Sequence, residues 1–267
     1  MATPLLISYP DIPLRAVNIA PDQTYLSLLP HYNLFRGWRY QHAKLAAATS
    51  SPRVFEFTLN DGDESAVDHY ILARADLLLD QGATTFELEE STNGSSWTGV
   101  RSDSLGTGSL TGVRSQDIIQ TFSTTVSRKY WRAAVLGASA ATEYSKLYFG
   151  RFFDFGCAPD EFTFDRRPEG DSVFLADSGA QHYQKLNEPR YTFRIVWDGV
   201  ADAKADAFAT TIAAMRKRTG FFLYTASQPQ ILNDHELVHV MLTSVSIEEQ
   251  VGYPDWNRIV TEWVELI

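Results

Sequence analysis

Cysteine is nearly absent. Cys157 stands alone among 267 residues, so neither an intrachain disulfide nor a cysteine-based metal cluster can form. Long apolar runs are missing too. Nothing approaches the roughly 20 consecutive apolar residues that a membrane-spanning helix needs, and the opening MATPLLISYPDIPLRAV has neither the basic n-region nor the apolar core of a signal peptide. Positive charge is in deficit: 23 Lys and Arg face 33 Asp and Glu, for a formal net charge of −10, divided as −3 up to Gly156 and −7 beyond it. A field of that sign repels phosphate, which argues against a global electrostatic grip on nucleic acid. The expectation is a chain made and kept in a reducing interior, or released by a route other than secretion. Internal repeats and low-complexity segments are absent as well.

Aromatics are plentiful: 16 Phe, 12 Tyr and 6 Trp, residues enriched in strands and in contact surfaces. Most of the chain reads as strands. In RVFEFTL, Phe55, Phe57 and Leu59 alternate with Val54, Glu56 and Thr58, the pattern of a half-buried strand. DHYILARA and TTFELEES follow, separated by DLLLDQGA. The second runs into TNGSSW, where Asn93-Gly94 supplies the positive-φ pair of a tight hairpin turn. SDSLGTGSLTG reads as a long loop or hairpin; its GTGSLTG misses the dinucleotide-binding spacing and precedes no helix. Beyond Gly156, RYTFRIVW puts Tyr191, Phe193, Ile195 and Trp197 on one face, and GFFLYT, LVHVMLTSVSI and NRIVTEWVELI read as further strands. One segment reads as a helix, near residues 202–218. Asp202 takes the N-cap, Phe208, Ile212 and Met215 form a stripe, Arg216, Lys217 and Arg218 fill the last turn, and Gly220 supplies a left-handed C′ residue. The fold expected is mainly β, divided near Gly156–Pro159 into residues 1–156 and a smaller β domain with one α-helix, residues 157–267.

Three stretches suggest chemistry. HELVH, His235 to His239, matches the zinc-protease pattern, in which Glu236 would be the general base. On a helix the two imidazoles stand about 6 Å apart along the axis and can share one metal. On a strand they stand roughly 13 Å apart, too far for zinc bonds of about 2 Å. The β-branched alternation that follows favours the strand, and no metal or cofactor is expected. LNDGDES offers Asp61, Asp63 and Glu64 but lacks the spacing of a calcium loop and reads as a solvated turn. SRKYWRAAVLG interleaves Arg128, Lys129 and Arg132 with Tyr130 and Trp131, as a nucleic-acid or glycan site would. As a strand, it buries Trp131, Ala133 and Val135 and leaves Arg128, Tyr130 and Arg132 as a stripe on the outer face, available to an acidic neighbouring subunit. His31, His42, His69 and His182 show no ligand spacing, and no Ser sits in a nucleophile elbow.

Taken in order, LPHYNLFRGWRY, DHYILARADLL, GATTFELEESTNGSSWTGV, SRKYWRAAVLG and YSKLYFGRFFDFG resemble a discoidin-type, galactose-binding-like jelly roll over most of residues 25–155. The second half, with WDGV leading into an Ala-rich helix, then TGFFLY and TEWVEL, is similar to the β-sandwich with a flanking helix of phage distal-tail and tail-tube proteins. In distal tail proteins the ring-forming domain usually comes first, and here that order is reversed. The combination resembles a siphophage tail-tip or baseplate component. This resemblance implies a non-catalytic structural protein of the virion, assembled in the bacterial cytoplasm into a ring, hexameric or trimeric, that joins tail tube to distal tail proteins. It implies no membrane insertion and no nucleic-acid specificity. The jelly roll brings a different expectation, binding of host-surface glycan through Trp38, Trp97 and the loop from Leu105 to Gly112.

Overall fold

The computed structural model describes residues 5–9, 13, 16, 18–21, 43–45, 53–111, 116–123, 127–138, 142–167, 171–175, 181–185, 190–214, 220–225, 237–250 and 255–266. In chain order the strands are β1 (Leu6–Ser8), β2 (Asn18–Pro21), β3 (Ala43–Leu45), β4 (Arg53–Thr58), β5 (His69–Ala73), β6 (Thr85–Ser91), β7 (Thr98–Ser104), β8 (Ile118–Thr121), β9 (Tyr130–Leu136), β10 (Thr142–Tyr144), β11 (Lys146–Gly150), β12 (Glu161–Arg167), β13 (Asp171–Leu175), β14 (Gln181–Lys185), β15 (Arg190–Ala201), β16 (Phe221–Tyr224), β17 (Leu237–Glu249) and β18 (Trp256–Glu265). The α-helices whose bounds are described are α1 (Ala75–Asp80) and α2 (Asp202–Ala214).

The first half is a jelly-roll β-sandwich. A five-stranded sheet, β2-β4-β9-β6-β7, faces a three-stranded one, β11-β5-β8. Alternation decides what each strand of the larger sheet buries: Phe55 and Phe57 from β4, Phe86 and Leu88 from β6, and Trp131, Ala133 and Val135 from β9 all enter one core. Phe149 of β11 meets this layer edge-on, its ring centroid 5.0 Å from that of Phe57. DLLLDQGA, expected to be a connection, forms α1, with Ala75 and Leu78 buried.

The second half is built on a six-stranded antiparallel sheet, β1-β16-β17-β18-β15-β12. Phe193, Ile195 and Trp197 of β15 and Ile259 and Trp263 of β18 share a second core with Ala205 and Phe208 of α2. The strand and stripe expectations hold here, with Ile212 packed against the same core; Met215 to Arg218 lie outside the described residues. Gly220 does not take the expected left-handed conformation. Its lack of a side chain serves close packing instead, because a Cβ there would run into His239 and lie 2.8 Å from Leu266 Cδ1.

The expected division near Gly156 does not separate the two halves cleanly. Leu6–Ser8 fall in the first by position, yet β1 pairs with β16 in the second sheet. Phe222, Tyr224 and Leu237 in turn belong to the first core. The three-stranded sheet is therefore a middle layer: every residue of β5 and β11 is buried. Tyr70 and Phe149 point toward the five-stranded sheet, against Phe86 and Phe57. His69 and Tyr148 point the other way, and the Tyr148 hydroxyl donates to the Gly220 carbonyl at 2.9 Å.

Candidate functional site

The hairpin between β6 and β7 gathers the aromatic and charged residues that the sequence singled out. Only Gly94 of the expected Asn93-Gly94 pair takes a positive φ, 72°, so this is not a two-residue turn. Residues 92–97 make a longer connection held by side chains. Ser91 Oγ accepts from the amides of Asn93 and Gly94 at 3.2 and 3.0 Å, and Asn93 Oδ1 accepts from those of Ser95 and Ser96 at 2.9 Å each. Trp97, half-buried, closes the connection. The Arg132 guanidinium lies 4.6 Å from the centroid of its ring.

Arg132 is itself fixed. Register places it on β9 between Glu56 of β4 and Glu89 of β6, and its Nε donates to Glu89 Oε2 at 2.5 Å. Gly94 lies over Tyr130, such that a Cβ there would be 3.2 Å from the ring. Lys129 stands 5.2 Å from the same ring and pairs with Asp61, which draws the Asp61 carboxyl below its ordinary value. The sequence reading put Arg128, Tyr130 and Arg132 on one stripe. Arg128 instead precedes β9, bridges Ser65, and pairs with Glu90, a residue on the core-facing side of β6 opposite Trp131. Arg132 and Tyr130 support the hairpin.

Trp38 lies outside the described residues, as do His235, Glu236 and Gly112. His239 sits in β17, buried and stacked on Phe222 at 4.4 Å; the strand geometry holds from Leu237 onward. Asp61 and Asp63 belong to a turn closed by the Asp63 amide donating to the Asn60 carbonyl at 3.1 Å. Thr107–Ser109 form a 3₁₀ turn, with Leu105 and Leu110 packed on the first core.

One constellation was invisible to sequence spacing. Ser8 Oγ is 2.6 Å from His69 Nε2, and His69 Nδ1 is 2.8 Å from Asp68 Oδ1. That is the bonding order of a Ser-His-Asp triad. Ser8 and His69 are completely buried, however, with Phe152 stacked on the imidazole at 3.6 Å. No substrate carbonyl can approach Oγ, and the group ties β1 to β5.

No family model matches the chain, and no curated protein matches it. Solved structures do. SpGH29 is similar at 18% identity and a TM-score of 0.38 over 52% of this chain, which spans 27% of that one. A Streptococcus pneumoniae fucose-binding module is similar at 10% and 0.39, over 52% of this chain and 94% of the module. The family 32 carbohydrate-binding module of Clostridium perfringens NanJ, in complex with galactose, is similar at 12% and 0.40, over 54% of this chain and 99% of the module. None of these is a phage tail protein, and the tail-tip expectation draws no support from them.

Proposed function

We propose that the protein is a non-catalytic glycan-binding protein in which Trp97 presents a stacking surface to a sugar ring. One observation carries this reading: an indole at a sandwich hairpin is held in place by a guanidinium that is itself anchored to Glu89. A pyranose offers polarised C–H bonds on one face, and these are attracted to the negative face of an aromatic ring. The exposed Asn93, Ser95 and Ser96 beside it supply groups for sugar hydroxyls. Because the platform is pre-ordered, binding has little side-chain freedom left to remove.

Titration with a panel of neutral glycans, including galactose- and fucose-terminated ones, tests this. Trp97→Ala should weaken binding at least about ten-fold and Arg132→Ala by a smaller factor, with the fold intact by circular dichroism. Absence of binding at millimolar concentration across the panel overturns the reading.

A structural role in a phage tail tip is the second reading. It is favoured by the far half of β17, which extends beyond its β16 partner, has no second strand partner among the described residues, and leaves Val245 and Ile247 exposed. A chain that stays monomeric at high concentration, alone and mixed with tail proteins, counts against it.

A further inference from the structure

A second aromatic surface lies on the other half of the molecule, away from the Trp97 hairpin. Trp256 opens β18 and is 46% exposed, the most exposed large apolar residue among those described. Opposite it, β15 loses register between Trp197 and Val200, and Gly199 in that bulge has φ 70°. A Cβ at Gly199 would make an ordinary contact with Trp256 Cε3, at 3.6 Å, so the indole packs beside this bulge. A glycine within a strand marks a place of close approach, and bulges re-aim side chains beside binding sites. Gln250 ties this end of the sheet together: its backbone amide donates to the Trp256 carbonyl at 2.9 Å, and its side chain donates to Asp198 at 3.5 Å.

Alternation along β18 puts Trp256, Arg258 and Glu262 on the same outer face of the sheet. Two ion pairs lie on this face: Arg258 with Asp198 at 3.3 Å, and Arg194 with Glu161 at 2.9 Å. Six residues along from Trp256, about 20 Å, the face holds a groove of about 460 Å³ where Thr163, Asp165, Thr192, Arg194 and Glu262 alternate with apolar residues such as the exposed Phe164. A flat ring at one end, ion-paired hydrogen-bonding groups between, and a groove of mixed polar and apolar lining at the other suit a hydroxyl-rich ligand without charge. Asp165 and Glu262 add carboxylates beside these pairs, so a phosphate or other anion is repelled.

We propose that the outer face of the six-stranded sheet binds a neutral linear oligosaccharide, one pyranose stacked on Trp256 and the chain running toward the groove at Thr163, Arg194 and Glu262. The full chain labelled with 5-fluorotryptophan tests this, its resonances assigned with Trp97→Phe and Trp256→Phe. The probes are cellohexaose, maltohexaose and chitohexaose, each against the methyl glycoside of its own monosaccharide. The Trp256 resonance should shift saturably with at least one hexasaccharide, at an affinity about ten-fold tighter than with the monosaccharide. Arg194→Ala should remove most of that advantage and leave the monosaccharide affinity unchanged. The proposal is overturned by a Trp256 resonance that no hexasaccharide moves at millimolar concentration. Equal affinity for hexasaccharide and monosaccharide overturns it too, as does a shift produced by tetramethylammonium alone. The Trp97 resonance responds independently, so failure here and failure of the Trp97 site are told apart in one spectrum.

Discussion

Lys146 shows what burial does to a single side chain. It opens β11 on the same side of the strand as Tyr148 and is 1% exposed, and desolvation draws its ammonium down from 10.5 to about 7. Below pH 7 the group is charged in the folded and the unfolded chain, and the cost of burying that charge is fully present. Between pH 7 and 10.5 only the unfolded chain holds the proton, so the cost fades as pH rises. Lys146→Met should therefore be more stable than the parent at pH 6. That gap should close by at most about 1.4 kcal/mol per pH unit as pH rises to 10. Urea unfolding across the range reads it directly, and a gap that does not change with pH refutes the assignment. The residues of the Trp97 platform were visible in the sequence as letters, since Trp97 follows a hairpin signal and Arg132 lies in a conspicuous cluster. Their union was not, because it depends on the register that sets Arg132 opposite Glu89. Trp256 went unnoticed for a related reason: its setting comes from a glycine bulge on another strand, whose only trace in the sequence is Gly199 interrupting an apolar run.

Among the elements, strands with one buried face announced themselves by alternation, as β4 and β15 do. Strands buried on both faces did not. HYILA and KLYFG show no clean period because one side of each meets the five-stranded sheet and the other meets the second half. FFLY of β16 follows the same rule: Phe221 and Leu223 enter the second core while Phe222 and Tyr224 enter the first. Such runs carry the signal of a middle layer, but a run alone cannot say which two layers enclose it. Gly220 tests how tightly this layer is closed. Gly220→Ala drives a methyl group into His239 and Leu266 and should cost about 1–3 kcal/mol, the usual penalty of overpacking. Gly99→Ala, in β7 with nothing within 4 Å of the added atom, should change the melting temperature little. Equal effects at the two sites mean that the seam between the halves is looser than described.

For the whole molecule, the shared middle layer predicts that the halves depend on each other. A fragment of residues 1–156 leaves Tyr148 without Phe222 and His239, leaves Phe152 without Tyr224, and leaves β1 without β16. It should bind a hydrophobic dye and lose near-ultraviolet circular dichroism while keeping strand content; a fragment that unfolds cooperatively with native-like spectra contradicts this. The same feature sets a timetable for synthesis. β1 pairs with residues 222–224, more than 200 positions further along, and the outer side of the middle layer is covered only after Leu237 and His239 have emerged. At translation rates of roughly 5–20 residues per second, the nascent chain carries that bare aromatic surface for on the order of ten seconds after β11 is complete. Its early residues must wait for its late ones, and a chaperone that shields aromatics has most to do for this chain in that interval.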